Sequence, residues 1–191
     1  MNIVEISKIL FFSSIAVWLL PPFKQFGTKV FFYFLLLALT DPIVLLTSTL
    51  FKINLPIEYN ISVSYLLVIS LLDKKVINEQ KYILIFGFLF IFIVFFLPTT
   101  NTQKYIVLLA IQLLILAIFI KTFAVSYVFD KKILIFYLML IFYQLTIISK
   151  FFNVLIGFAD ATAFFIITSI AQIFFGLFFS IYREDNARLA F

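Results

Sequence analysis

Long apolar runs, each closed by a short polar or proline-bearing turn, follow one another along the whole chain. The first is Ile9 to Leu20, with Ile3 and Val4 before it; Asn2, Glu5 and Lys8 stand at its start and Pro21-Pro22 end it. It has neither the basic leader region nor the small-residue cleavage site of a signal peptide, so it reads as a retained first helix. After a turn from Phe23 to Gly27, a second helix is expected from Thr28 to Phe51, interrupted by Asp41-Pro42. Lys52-Ile53-Asn54-Leu55-Pro56 is the next turn, and Pro56 suits the start of a third helix running to Leu72. Asp73 to Gln80 is a polar loop. Tyr82 to Leu97 carries no strong polar group and reads as a lipid-facing fourth helix. Pro98 to Thr102 is a turn, Gln103 to Phe129 a fifth helix, Lys132 to Ser149 a sixth, and Phe151 to Tyr182 a seventh. A flat membrane span takes about 20 residues, so the seventh must tilt, break near Gly157 or project inward. Residues Arg183 to Phe191 form a short tail of mixed charge.

No segment alternates with the two-residue period of a barrel strand, and no internal repeat marks an inverted-repeat transporter. The pattern predicts an all-α transmembrane bundle of about seven spans in a single domain over 1–191. Seven spans put the chain ends on opposite sides. One face then carries Lys24, Lys29, Lys74, Lys75, Lys81, Lys131, Lys132, Arg183 and Arg188; the other carries Lys8, Lys52, Lys104 and Lys150. The asymmetry favours an N-terminus outside and a cytoplasmic C-terminus with residues 183–191 as its tail. If the first helix lies in the interface, the spans fall to about six and the C-terminus stays inside.

Composition strengthens this reading. The chain is 65% hydrophobic and 12% charged with a mean hydropathy of +1.22, where soluble domains average about 45–50% and 25%. Its 29 phenylalanines and 4 glycines fit the codon bias of an AT-rich genome, and hence a bacterial inner membrane. There is no cysteine and no histidine, which removes disulfides, thiolate nucleophiles, zinc sites and a histidine base. No cofactor or metal site is implied. The net charge of +5 is spread over the ends of the apolar runs. Its partner is the anionic membrane surface, not nucleic acid.

Polar groups inside the apolar runs are the candidates for chemistry. At about 1.5 Å per residue, Asp41 lies roughly 15 Å below Phe51, Asp160 roughly 14 Å below Phe151, Gln144 roughly 9 Å below Lys150 and Ser64 roughly 12 Å below Pro56. These groups, from separate helices, share one layer in the outer half of the bilayer. Helical spacing puts Asp41 on a face with Ala38, Leu45 and Ser48. It puts Asp160 with Asn153, Gly157, Ala161, Thr168 and Ala171, and Asn60 with Ser64. Lys121 shares a stripe with Ala110, Ala117 and Ala124, a small-residue pattern that argues for an interior position and turns Gln112 away. Asp41, Asp160, Gln144, Ser64, Asn60 and Lys121 are therefore the candidate ligand-binding residues. Each also has a structural reading: the aspartates as caps or buried hydrogen-bonded acids, Lys121 snorkelling to headgroups, Gln144 and Ser64 as interhelical glue, and the aromatics as lipid-facing bulk.

Three functions follow. The first is a non-enzymatic sensory or accessory module with an outer polar pocket and another membrane subunit as partner. The second is a transporter that uses Asp41 and Asp160 as protonatable groups. The third rests on a resemblance: Thr40-Asp41 and Thr168-Ser169-Ile170-Ala171-Gln172 are similar to motifs of the lysoplasmalogenase-like small membrane proteins. That resemblance implies a lipid enzyme with Asp41 as general acid or base. It covers two short segments; those proteins have eight spans and a second Ser-Asp motif, and the matching region around Gln144 lacks the acid. A retinal-type receptor is excluded because the seventh helix has no lysine for a Schiff base.

Overall fold

A computed structural model describes residues 3–79, 81–96, 100–129, 131–185 and 188–190. The expected ends at Gln80 and Leu97, the turn residues Pro98 and Thr99, the loop residue Asp130 and the tail residues Asn186, Ala187 and Phe191 lie outside them. The chain is nearly all helical, with α1 (Ile3–Trp18), α2 (Pro21–Lys24), α3 (Phe31–Leu50), α4 (Ile57–Leu71), α5 (Lys74–Glu79), α6 (Lys81–Phe96), α7 (Asn101–Phe129), α8 (Ile135–Ile156) and α9 (Ala161–Ile181). Five stretches are long and apolar enough to cross a membrane: Glu5–Lys24 through α1 and α2, then α3, α7, α8 and α9. Helix α4 is apolar but only 15 residues long, and α6 presents exposed Tyr82, Phe86, Phe88 and Phe92 beside α4.

Helix boundaries follow local chemistry. Pro56 is extended (φ −72°, ψ 166°) and opens α4. Pro42 sits inside α3 and supplies no N–H to the carbonyl of Ala38. The expected boundary at Ser149-Lys150 is displaced. Helix α8 runs through Lys150 to Ile156 and ends at Gly157, whose φ of +67° is the left-handed C-cap that glycine adopts without strain. The Gly157 N–H donates to the Asn153 carbonyl at 2.7 Å, and the Asn153 side chain accepts from the Ala159 N–H at 2.9 Å. The long seventh run is thus a break near Gly157 followed by a separate α9. A lysine does not end a helix, whereas glycine past the last turn does.

The core is aromatic. Trp18 of α1, Phe34 of α3, Phe136 and Tyr143 of α8, and Phe175 and Phe179 of α9 are buried in one cluster. Ring centroids lie 4.6 Å apart for Trp18 and Tyr143 and 5.0 Å apart for Phe34 and Phe179, within the range where aromatic pairs add to burial. These rings hold α1, α3, α8 and α9 together, where the sequence suggested bulk facing lipid. Gly176 lets α1 approach α9: a Cβ there would lie 2.7 Å from Val17 Cγ1 and 3.3 Å from Trp18 Nε1.

The C-terminal end is tied down. Strands β1 (Lys132–Leu134) and β2 (Arg188–Ala190) pair antiparallel, Ile133 opposite Leu189. Buried Gln25 donates from Nε2 to the carbonyls of Phe179 (2.9 Å) and Tyr182 (2.8 Å), and its Oε1 accepts from the Glu184 N–H at 3.0 Å. Glu184 in turn accepts from Tyr137 OH at 2.7 Å and from the Lys29 N–H at 3.2 Å.

Candidate functional site

Polar positions on α3, α4, α7 and α8 converge inside the bundle. Side chains from α1, α3, α4, α7, α8 and α9 line an open cavity of about 310 Å³, at the small end of ligand-pocket sizes. Its inner wall is a hydrogen-bonded chain across four helices. Tyr33 OH of α3 donates to Gln144 Oε1 of α8 at 3.5 Å. Gln144 Nε2 donates to Oε1 and to the backbone carbonyl of Gln112 on α7, at 2.5 and 3.1 Å. Gln112 Nε2 donates to Ser64 Oγ of α4 at 2.7 Å. Tyr33 and Gln144 are fully buried. Each member engages the next, so the cost of burying four polar side chains is met inside the wall.

The remaining lining is not satisfied in this way. Asn60 of α4, Ser14 of α1, Tyr143 of α8 and Gln172 of α9 line the cavity. Among the described residues their side chains make no hydrogen bond. Asp41, exposed at the cavity edge, and half-buried Lys150 line it too. The two side chains form no ion pair with each other. Lys150 Nζ lies 5.7 Å from the centroid of the Phe165 ring, within cation–π range. Beside Asp41, the Thr40 carbonyl accepts from Tyr59 OH at 3.4 Å, a bond from α4 to the α3 turn that contains Pro42. At about 1.5 Å per residue, Asn60 lies roughly 5 Å, Lys150 roughly 9 Å and Asp41 roughly 14 Å from the helix ends at Ile57, Ile156 and Leu50. At the same end, Lys104 of α7 pairs with Glu58 of α4 at 2.5 Å.

Four of the six residues singled out from sequence line this cavity: Asp41, Asn60, Ser64 and Gln144. The other two do not. Asp160 is the N-cap of α9; its Oδ1 accepts from the N–H groups of Thr162 (3.1 Å) and Ala163 (2.8 Å), and it is exposed. The glycine break puts it at a helix end, not deep within a helix, and its carboxylate satisfies first-turn N–H groups as N-cap aspartates do. Lys121 is exposed on α7, as are Ala110, Ala117 and Ala124. The face of α7 turned inward is the competing stripe of Leu108, Gln112, Ile115, Phe119 and Ser126. Sequence reasoning missed Gln112 by choosing the small-residue stripe over this one. It missed Lys150 by assigning it to a turn, and Tyr33 and Tyr143 by counting them as bulk. Among the described residues no three acidic side chains converge to hold a metal ion.

The chain matches no protein-family model, no curated protein and no solved structure.

Proposed function

We propose that this chain is a non-enzymatic membrane module that holds a small polar solute in the cavity beside Asp41, in a sensory or accessory role. In this reading α1–α2, α3, α4, α6, α7, α8 and α9 all cross the inner membrane of a bacterium as one domain. The N-terminus is outside, and residues 183–191 face the cytoplasm. With Lys150 in α8, the outer face keeps only Lys8, Lys52 and Lys104 against nine basic residues on the inner face, which sharpens the charge asymmetry. The cavity then lies in the outer half of the bundle. A further membrane subunit carries any output.

The observation that supports this reading is a cavity walled by an internally satisfied polar chain yet lined by two charges that do not pair. Charges within an apolar bundle are costly and mark sites of use. Among the described residues Asp41 is the one carboxylate on the cavity lining, so a transport path that needs Asp41 and Asp160 together, or two-carboxylate catalysis, finds no second acid among them there. The chain has no cysteine, so Asn60→Cys introduces a unique thiol on the lining. A membrane-impermeant methanethiosulfonate added to intact cells labels it if the cavity is hydrated and opens outward, whereas Leu46→Cys, on an exposed apolar face of α3, stays unlabelled. Equal inertness of both cysteines overturns the proposal.

A further inference from the structure

Resting on the reading of the cavity as a solute site, we infer that its ligand is a small zwitterion whose ammonium group sits against Asp41 and whose carboxylate or phosphate sits against Lys150. Three observations carry this. Asp41 and Lys150 border one space from facing helices α3 and α8 and do not pair with each other. The wall residues Tyr33, Gln144, Gln112 and Ser64 are occupied with one another. Recognition therefore falls to the two charges and to the unengaged Asn60, Tyr143 and Gln172. Finally, about 310 Å³ admits a small solute and little else.

Charge selects among small solutes. A lone cation drawn to Asp41 meets the Lys150 ammonium in the same space; a lone anion drawn to Lys150 meets the Asp41 carboxylate. Like charges in a partly desolvated site repel strongly enough to select against both. A neutral ligand leaves both charges unpaired. A zwitterion matches both and brings no net charge into the bundle. The same chemistry is offered by a free aminoalkyl phosphate or amino acid and by the headgroup of an ethanolamine phospholipid entering from the bilayer.

Trp18 is the only tryptophan of the chain and lines the cavity, so its emission reports occupancy. The purified full chain in phosphatidylglycerol nanodiscs is titrated with O-phosphoethanolamine, ethanolamine and glycerol 3-phosphate. The zwitterion is expected to half-saturate at about tenfold or more lower concentration than the purely cationic or the purely anionic probe. Asp41→Asn should abolish its advantage over glycerol 3-phosphate and Lys150→Gln its advantage over ethanolamine. The exchange Asp41→Lys with Lys150→Asp should preserve zwitterion binding, and the thermal midpoint of each variant separates misfolding from lost recognition. In phosphatidylethanolamine nanodiscs without soluble probe, a Trp18 shift absent from phosphatidylglycerol discs assigns the headgroup as source; a response confined to the soluble zwitterion assigns a free solute. Equal half-saturation by all three probes, or no response in either lipid, overturns the inference. Labelling of Asn60→Cys in the same preparation then tells whether the solute cavity survives without it.

Discussion

Replacing Gln144 by leucine keeps the volume of the side chain and removes the central link of the polar wall. The two bonds to Gln112, at 2.5 and 3.1 Å, are lost, and Gln112 Oε1 and Tyr33 OH are left without their partner. The Tyr33 bond is 3.5 Å long and at the limit of a useful geometry, so it adds little. A buried orphaned acceptor costs about 1–3 kcal/mol in proteins generally, while interhelical hydrogen bonds in membranes average about 0.6 and reach about 1.7 kcal/mol. The expected loss is therefore about 1–2 kcal/mol. It is measured by equilibrium unfolding in mixed detergent and dodecyl sulfate, followed through Trp18, whose ring centroid lies 4.6 Å from that of Tyr143. The sharper form is a double-mutant cycle with Gln112→Leu. Removing both glutamines together still leaves Tyr33 OH and Ser64 Oγ without their partners but strands neither glutamine amide, so the double variant should lose about 1 kcal/mol less than the sum of the singles. Additivity within error, or a neutral Gln144→Leu, shows that the two glutamines do not meet and refutes the wall.

Three further outcomes test the packing. Gly176→Val puts a branched Cβ against Val17 and Trp18, so it should cost about 1–3 kcal/mol by overpacking and red-shift Trp18 emission. Gln25→Ala releases the carbonyls of Phe179 and Tyr182; trypsin should then cleave after Arg183 several-fold faster while the far-ultraviolet spectrum is retained. Lys104→Met strands Glu58, which is buried at the α4–α7 contact, and should lower the thermal midpoint more than Lys104→Arg, because losing one member of a hydrogen-bonded charge pair costs more than altering its geometry.

The apolar runs were legible because lipid imposes a long, nearly uniform hydrophobic stretch, and their positions carried over to α3, α4 and α7 within a few residues. What was not legible came from choices that periodicity leaves open. Along α7 two stripes compete, one of alanines with Lys121 and one of Leu108, Gln112 and Ile115. Small residues suggested the first, but a glutamine facing Gln144 and Ser64 gains bonds that a lysine stem beside alanines does not. At Lys150 a charge was mistaken for a boundary; its ammonium has a cavity and the Phe165 ring to face, so the helix continues past it. Asp160 followed from that error, since moving the break to Gly157 turned a buried acid into a cap. Asp41, Asn60, Ser64 and Gln144 line the cavity, in keeping with the rule that a polar group within an apolar run is placed where it has polar neighbours. The pairing of the tail with β1 depends on residues far apart in sequence, and no local pattern announced it.

The central claim is that Asp41 and Lys150 face one hydrated cavity. The cysteine-free background allows a direct measurement: Asp41→Cys with Lys150→Cys, treated in membranes with a short hydrophilic bis-methanethiosulfonate and read as an intramolecular cross-link by intact mass. The account predicts an efficient cross-link for this pair and little for Asp41→Cys with Asp160→Cys, because Asp160 caps α9 away from the lining. No link between positions 41 and 150, or an equally efficient link between 41 and 160, contradicts it.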